Sequence, residues 1–599
     1  MKKTIYYILL CVFLFPLQAC SSKEKEEITS NTIQEIGTYQ TITYEEEDLD
    51  TSYDKSTAHT IELNNEQTKL SISEAEIQGS TLTIKQAGTY VLQGQWQGQI
   101  AVDAPKDALV KLVLKGVIIQ NLQNAALVSK SARKTVILLE EGSENIFEDY
   151  SSYQDTTIDA LIYAKTNLTL QGNGSLTLIA RYKDAIKGND DLVITGGNYH
   201  IQAVEDGIIG KDSLAIYDGN FQIISGKDAL KSSNNQDISK GWISIENGSY
   251  TLTAGNDSIQ AETFLQIQSG HFQIETKTDT IDETISYKAL KAGTLLFVKD
   301  GNYQIQSVDD ALHSNQHMVL ENGTFTISSN GNGIHADDTL QVLNASIHVT
   351  NSVEGMEAQR IEVYGGQINI TANDDGINAT GTDPHIQIDG GEIIVDAQGD
   401  GIDSNGTITQ TGGTLILFGP TDNQNSALDY DVSYTLEGGV LLASGPAQMS
   451  QTVSSSTQPV VMIQFHQIRQ ANSIVNISDT QGNSLITFAP NKQYQNLIIS
   501  LPSFTKDTAY QLSVDGNIQG EISNGNYGSA TYEGGTLKTS FTFNENILSI
   551  LEDGSSLSLK QPTGMGEKGQ RPDAPTPPEG SNMPPMQEKP KWEEPKIYE

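Results

Sequence analysis

The chain has 599 residues and a formal net charge of −39, from 75 acidic residues against 36 Lys and Arg. An excess of acid this large excludes a nucleic-acid partner, which requires a basic face that displaces counterions. Only 37% of the residues are hydrophobic and 7% aromatic, whereas glycine reaches 53 residues. This composition favours many short strands joined by turns over long helices.

The first twenty residues have the features of a secretion signal. Two lysines precede an apolar run from Ile5 to Leu17, which is too short to span a bilayer. The run ends in Leu17-Gln18-Ala19-Cys20, which resembles a bacterial lipobox. We therefore predict a lipoprotein signal peptide over residues 1–20 and lipidation of Cys20. Ordinary secretion with a chance cysteine is the alternative. The prediction places the protein outside the cytoplasm, lipid-anchored to a bacterial membrane and exposed on its outer side.

Two flanking segments differ in composition from the middle of the chain. Residues 21–60 are polar and acidic and are predicted to form a flexible tether. Residues 553–599 are rich in proline and are predicted to form a disordered tail, serving as a spacer or as a segment that binds the cell wall or a partner. Both cysteines lie in the first twenty residues, so the folded body has no disulfide.

An internal repeat determines the predicted fold. The motif Asp-(Gly/Ala)-(Ile/Leu) begins at Asp184, Asp206 and Asp228 and continues to residue 426 with an underlying period of 22 residues. Glycine recurs thirteen residues after each start, and apolar residues alternate between these two corners. Short strands with period two that cannot bury a face alone are typical of stacked repeats. We predict an all-β protein, a right-handed parallel β-helix of about 22 residues per rung over residues 61–457.

Two further features complete the predicted fold. Aromatic residues recur as a column two positions after the corner glycine, and they share the inward alternation of Ile201 and Ala203. We therefore predict that they are core side chains rather than a platform for sugar binding. The column consists of Tyr199, Phe221, Tyr250, Phe272, Tyr303 and Phe325. Residues 458–552 have the pattern of antiparallel strands and are predicted to form a small β module that covers the open end of the helix.

The repeated acids are candidate metal ligands. Residues one rung apart in a β-helix lie about 5 Å apart, and like charges at that distance repel by roughly 1 kcal/mol in water. Closely spaced oxygen donors are what Ca²⁺ prefers, which predicts Ca²⁺ as a cofactor. The alternatives are turn capping by each acid and neutralisation by nearby lysines. The predicted metal ligands are Asp184, Asp206, Asp228, Asp257, Asp309, Asp310, Asp337, Asp374, Asp375, Asp400 and Asp403.

A second column, three residues further on, changes from basic through imidazole to acidic along the chain. It is predicted to contact an extended ligand lying along the helix axis, and a solvated corner is the alternative. The predicted ligand-binding residues are Lys187, Lys231, Lys291, His313 and His335. The two histidines are expected on adjacent rungs, but the sequence reveals no third ligand for a transition metal. No nucleophile motif or phosphate-binding loop is present, so no catalytic residue is assigned.

The sequence motifs of the repeats resemble those of a known family. The motifs Asn332-Gly333-Ile334-His335, Asp374-Asp375-Gly376-Ile377 and Gly399-Asp400-Gly401-Ile402-Asp403 are similar to those of bacterial carbohydrate-binding domain-containing proteins, and the similarity extends over roughly residues 60–545. The resemblance implies a secreted or lipid-anchored parallel β-helix that binds Ca²⁺ and plant-wall polysaccharide, including acidic pectin-type chains. Asn332 and Ile209 depart from the family pattern, where Asp and a basic residue are usual.

The family also resembles pectate lyases in architecture, which makes a Ca²⁺-dependent lyase with Lys187, Lys231 or Lys291 as the base an alternative. A surface adhesin with a protein partner is a second alternative. The predicted function is that of a monomeric surface lipoprotein that binds polysaccharide without cleaving it and touches the membrane only through its lipid anchor.

Overall fold

The computed structural model describes residues 36–65, 67–520, 525 and 531–557. The predicted signal peptide with Cys20 lies outside the described residues, as does the predicted tail from residue 558 onward. Within the described ranges the only helix is Glu46–Leu49, and every other regular element is a strand. Accordingly, no described helix is long and apolar enough to cross a membrane. The prediction of an all-β, mainly parallel fold is confirmed.

The strands form three faces because each one pairs in parallel with a strand one turn further along the chain. On one face Asn198 is opposite Asn220, and on another Lys187 is opposite Ile209. Both registers join residues 22 positions apart. Inward positions are apolar and fully buried, so the three faces enclose one continuous hydrophobic core.

Face A carries the Asp motifs, and an antiparallel strand, Ala75–Gln78, pairs with its first strand. Its strands are Thr81–Ile84, Gln99–Asp103, Leu127–Ser131, Ala160–Ala164, Asp184–Gly188, Ile208–Gly210, Leu230–Ser232, Ile259–Ala261, Leu290–Ala292, Leu312–Ser314, Ile334–Val342, Met356–Val363, Ile377–Ala379 and Ile402–Ser404.

Face B follows face A in each turn, and two of the strands above, Ile334–Val342 and Met356–Val363, continue into it. Its other strands are His59–Asn64, Gly88–Gln97, Leu109–Asn121, Lys134–Leu139, Asn167–Gly172, Asp191–Ile194, Ser213–Ile216, Trp242–Ile245, Phe264–Ile267, Leu295–Val298, His317–Leu320, His385–Ile388, Thr407–Gln410, Ser433–Leu436 and Ser455–Ser456.

Face C completes each turn, and its first strand also pairs with the end of Leu109–Asn121. Its strands are Glu144–Asp149, Ser175–Ala180, Asn198–Ala203, Asn220–Ser225, Ser249–Ala254, His271–Thr276, Asn302–Ser307, Thr324–Ser329, Ser346–Asn351, Gln367–Ala372, Glu392–Ala397, Thr414–Phe418 and Val440–Gly445.

The C-terminal strands extend face C and change its direction. Tyr494–Ser500 pairs antiparallel with Val440–Gly445, the last strand of face C, and with Val460–Arg469. Ile547–Leu551 then pairs in parallel with Val460–Arg469. A separate four-stranded antiparallel sheet and a two-stranded hairpin lie beyond. Their strands are Ser484–Phe488, Val475–Asp479, Ala509–Val514, Thr536–Thr542, Asn517–Gln519 and Thr531–Glu533.

The aromatic column on face C is part of the core, as predicted. All six side chains are buried, and successive ring centroids are 4.5–5.1 Å apart with nearly parallel planes. Each tyrosine hydroxyl donates to a backbone carbonyl, as Tyr250 does to Asn247 at 2.8 Å. Gly248 at the preceding corner has φ of 133°, and a Cβ there would lie 2.8 Å from the Tyr250 hydroxyl oxygen. The corner glycine therefore makes room for the ring column.

Residues 37–58 pack along the outside of face B and are called the strap below. The Gln40 N–H donates to Gln266, and the strap then runs back toward the first turns, where Lys111 donates to the Asp50 and Ser52 carbonyls. The described part of the segment expected to be a flexible tether is thus bound to the helix. Its acids have counterions on face B, since Lys134 Nζ lies 2.7 Å from a carboxylate oxygen of Asp48.

Candidate functional site

The Asp motifs stack at the corner that leads into face A, and they cap one another. A side-chain oxygen of Asp184 accepts the N–H of Asp206 at 3.1 Å, and Asp206 accepts the N–H of Asp228 at 2.8 Å. In the same way, a side-chain oxygen one turn earlier accepts the backbone N–H of Asp257, Lys288, Asn332, Glu354, Asp400 and Ser426. One oxygen of each capping acid or amide is therefore used for turn capping. We call this column, together with the residues three positions later, the corner strip.

In the first part of the corner strip, lysines occupy the remaining oxygens. Lys231 Nζ lies 2.5 Å from Asp228, and Lys291 Nζ lies 3.3 Å from Asp257. Lys187 pairs with Asp159 at 2.5 Å, a partner that the repeat pattern did not indicate, and lies 3.6 Å from Asp184. Each of the acids at positions 184, 206, 228 and 257 thus lies within ion-pair distance of a lysine, although burial and the neighbouring Asp206 carboxylate raise the pKa of Asp184 to about 7.

These ion pairs make the lysines poor proton acceptors. Burial acts to lower the pKa of Lys231, but Asp228 and Asp206 outweigh it and raise that pKa above its ordinary range. The pKa of Lys187 is raised in the same way by Asp159, against the effect of burial. A general base works best with a pKa near the working pH. This arrangement disfavours both lysines as the base of a lyase.

In the middle of the corner strip, histidines replace the lysines. His313 Nδ1 lies 2.9 Å from a carboxylate oxygen of Asp310, and Lys288 Nζ lies 3.0 Å from the same oxygen and 2.6 Å from Asp309. His335 is on the next turn, 3.3 Å from exposed Asp337. Although burial acts to raise it, His313 and Lys288 hold the pKa of Asp310 well below its usual range.

In the last part of the corner strip, acids and an amide take the place of the lysines and histidines. One oxygen from each of Asp375, Asp400 and Asp403 lies within 4.8 Å of the others, and we call these three residues the acid cluster. Among the described residues no Lys, Arg or His lies within ion-pair distance of the cluster. Burial and nearby carboxylates raise the pKa of Asp400 and of Asp403 to about 7 each. Asp374, also a predicted ligand, is exposed beside the cluster.

Two further oxygens next to the acid cluster have no hydrogen-bond partner. These are Asn378 Oδ1 and Glu354 Oε2, and both are buried. Burial with neighbouring Glu357 raises the pKa of Glu354 to about 8. Orphaned acceptors beside three carboxylates are the donor set of a hard divalent cation such as Ca²⁺. Glu354 was not predicted as a metal ligand, although it lies in the column of the Asp motifs. Asn378 stands with Asp374 and Asp375 in one of the densest groups of oxygen donors in the sequence.

The acid cluster predicts an unusual dependence of stability on pH. Folding raises the pKa of Asp400 and Asp403 from about 3.9 in an unfolded chain, so between about pH 4 and 7 the folded state holds protons that the unfolded state releases. Stability from these groups is present at low pH and lost as the pH rises to 7. In chelator, we expect a higher unfolding temperature at pH 5 than at pH 8, and a smaller difference in Asp400→Asn/Asp403→Asn. Calorimetry at both pH values measures this, and an equal difference in the two proteins would contradict it.

The sequence is similar to known carbohydrate-related proteins over much of the β-helix. A family model described as carbohydrate-binding domain-containing protein matches residues 78–331 and 327–457. A protein of that description from Acetivibrio thermocellus is 39% identical over 140 residues, 22% of this chain and 47% of the relative, so the match spans about half of that relative. A solved polysaccharide lyase-like protein from C. thermocellum, as a gadolinium derivative, is 32% identical with a TM-score of 0.35, and the match covers 36% of this chain and 90% of that one. The family model spans more than half of the chain, so the resemblance is confirmed and the chain belongs to the family of carbohydrate-binding domain-containing proteins.

Proposed function

We propose that this protein is a surface lipoprotein that binds an acidic polysaccharide through Ca²⁺ held at the acid cluster, without cleaving the chain. The scaffold of this proposal is a right-handed parallel β-helix of about 22 residues per turn with a C-terminal β module. Membership of a carbohydrate-binding family supports a glycan ligand. The choice of a pectin-type or other plant-wall polysaccharide rests on the preference of Ca²⁺ for carboxylate oxygens.

The acid cluster is the single observation that carries the proposal. Three carboxylates at this spacing repel one another by roughly 3 kcal/mol per pair at the effective dielectric near a protein surface. The amide oxygen of Asn378 and Oε2 of Glu354 add acceptors that have no donor. A Ca²⁺ ion takes six to eight oxygen ligands and would satisfy these groups together. Asp375, Asp400 and Asp403 are the residues proposed to hold it, with Asn378 and Glu354 as further oxygen donors.

Calcium also explains how so acidic a protein could bind an acidic glycan. With a net charge of −39, the chain repels a polyanion at long range. A bound Ca²⁺ reduces the local negative charge and offers coordination positions to uronic-acid carboxylates. Neutral glycans need no such bridge, so the proposal favours pectin-type chains over cellulose-type chains.

A co-sedimentation assay tests the proposal. We expect the protein to bind polygalacturonate in Ca²⁺ and to be released by a chelator. Asp400→Asn keeps the oxygen that accepts the Ser426 N–H, and the double variant Asp400→Asn/Asp403→Asn removes two charged ligands. The double variant should therefore weaken Ca²⁺-dependent binding about 10- to 100-fold, as loss of 1.5–3 kcal/mol implies. Asp383→Asn is the matched control, because this acid is 89% exposed and outside the corner strip.

The remaining outcomes separate the other functions. Binding that survives the chelator would overturn the Ca²⁺ bridge, and binding to no glycan on an array while envelope or host proteins bind would favour the adhesin. An unsaturated uronate product absorbing in the ultraviolet would establish the lyase. The raised pKa values of Lys187 and Lys231 argue against that product.

A further inference from the structure

A second, chemically different metal-binding group lies in the middle of the corner strip. His313 and His335 are opposite each other on adjacent turns, with ring centroids 4.9 Å apart. Both Nδ1 atoms point at one carboxylate oxygen of Asp310, at 2.9 Å from His313 and 3.7 Å from His335. An oxygen of Glu357, on the following turn, lies 3.5 Å from His335 Nδ1. Three turns of the helix thus contribute to one convergent group.

The separations within this group match the ligand spacing of a tetrahedral transition-metal site. Zinc binds imidazole nitrogen and carboxylate oxygen at about 2.0–2.1 Å, which places tetrahedral ligands about 3.3 Å apart. The observed nitrogen–oxygen distances of 2.9, 3.7 and 3.5 Å lie on either side of that value. One ligand atom from each of Asp310, His313 and His335 lies within 4.8 Å of the others, so small side-chain rotations would bring these three groups to one ion.

The outer nitrogen of each imidazole already has an acceptor. His313 Nε2 lies 3.0 Å from Oδ1 of Asn315, and His335 Nε2 lies 3.3 Å from Oδ1 of Asp337. A ring that donates from Nε2 directs the lone pair of Nδ1 inward, toward the carboxylate of Asp310. With Nε2 as the donor, the inner Nδ1 of each ring is available to bind a metal ion. Orientation of metal-bound histidines by such outer partners is the usual arrangement.

The groups around Asp310 leave its carboxylate available to a metal ion. Asp310 is fixed, because its other oxygen accepts the N–H of Asn332 at 2.8 Å. Lys288 is the competing cation on Asp310, but it also reaches Asp309 at 2.6 Å and can keep that partner when a metal ion binds. Asn332 donates to Glu357 and orients that carboxylate.

We infer that Asp310, His313 and His335, with the Glu357 carboxylate next to His335, form a binding site for a transition metal of the Zn²⁺ class, separate from the acid cluster. Two nitrogen donors select Zn²⁺, Ni²⁺ or Cu²⁺ over Ca²⁺, which takes oxygen ligands. The inference does not depend on the proposed glycan or on Ca²⁺ at the acid cluster. It supplies the third ligand that the sequence did not reveal.

Calorimetric titration of Zn²⁺ into the untagged full chain, stripped of metal and held in excess Ca²⁺, tests the site. We expect saturable binding that the double variant His313→Gln/His335→Gln weakens at least about ten-fold. The variant His348→Gln, which alters an exposed histidine on face C of the same turn as His335, should bind Zn²⁺ like the unaltered protein. Asp403→Asn should also leave Zn²⁺ binding unchanged, which separates this site from the acid cluster.

Co²⁺ provides a readout that needs no variant. In the unaltered chain, Co²⁺ at this site should give the visible absorption of a tetrahedral ion with nitrogen ligands, and added Zn²⁺ should remove it. Absence of saturable Zn²⁺ binding, or binding of equal strength in the folded double variant, would overturn the inference. If the double variant does not fold, His335→Gln alone and the Co²⁺ spectrum of the unaltered chain decide the question.

Discussion

Asp48→Ala is expected to lower the free energy of unfolding by about 3 kcal/mol and to release the strap from face B. Asp48 and Lys134 are both nearly inaccessible, and their charged atoms lie 2.7 Å apart. The Thr169 hydroxyl donates to the Asp48 carboxylate, and the Thr195 hydroxyl donates to the Asp48 backbone carbonyl. Removing one partner of a buried pair leaves an unpaired charge, which costs 3–5 kcal/mol in other proteins. Exposed Glu45 also reaches Lys134, which puts the expected value at the lower end.

Chemical denaturation measures the loss of stability, and limited proteolysis within residues 37–58 measures release of the strap. Glu45→Ala is the matched control, because this exposed partner should contribute less than about 1 kcal/mol. The double variant Asp48→Ala/Lys134→Met should recover most of the stability, since it removes both charges. Stability within about 0.5 kcal/mol of the unaltered protein, with the strap equally protected, would contradict this prediction.

The strap also shows the difference between features that local sequence patterns predict and features that depend on distant contacts. The repeat at Asp184, Asp206 and Asp228 and the alternation of apolar residues are local features, and they predicted strands, a parallel architecture and a buried aromatic column. The strap depends on partners far away in sequence, such as Gln266 for Gln40 and Lys134 for Asp48. An acidic stretch without visible counterions is predicted to be solvated, and only the folded face B brings the counterions to it.

The same limit applies to the corner strip. The change from lysine through histidine to acid was visible three residues after each Asp motif. The sequence did not reveal which carboxylate oxygens remain free, because that depends on the capping bonds between turns. Nor did it reveal that the Glu357 carboxylate lies beside His335, or that Asn378 Oδ1 is left without a donor, because these depend on how side chains on adjacent turns are oriented.

Phe272→Ala is expected to lower the free energy of unfolding by about 3–5 kcal/mol, the range found when a buried aromatic ring is removed. Phe272 is 2% exposed and is stacked between Tyr250 at 4.6 Å and Tyr303 at 4.8 Å. The substitution opens a cavity and also removes two ring contacts, each worth about 0.5–1.5 kcal/mol beyond area burial. Because each turn contacts only its neighbours, we expect denaturation to lose cooperativity and to separate into two transitions.

Phe264→Ala is the matched control for ring removal, because Phe264 stacks on Trp242 at 5.5 Å on the outer side of face B and is only half-buried. It should cost clearly less than Phe272→Ala. Phe272→Leu should cost about 1.5 kcal/mol, since it keeps most of the volume and loses the stacking. A sugar platform would behave in the opposite way: Phe272→Ala would weaken polysaccharide binding and leave unfolding unchanged. That result would overturn the assignment of the aromatic column to the core.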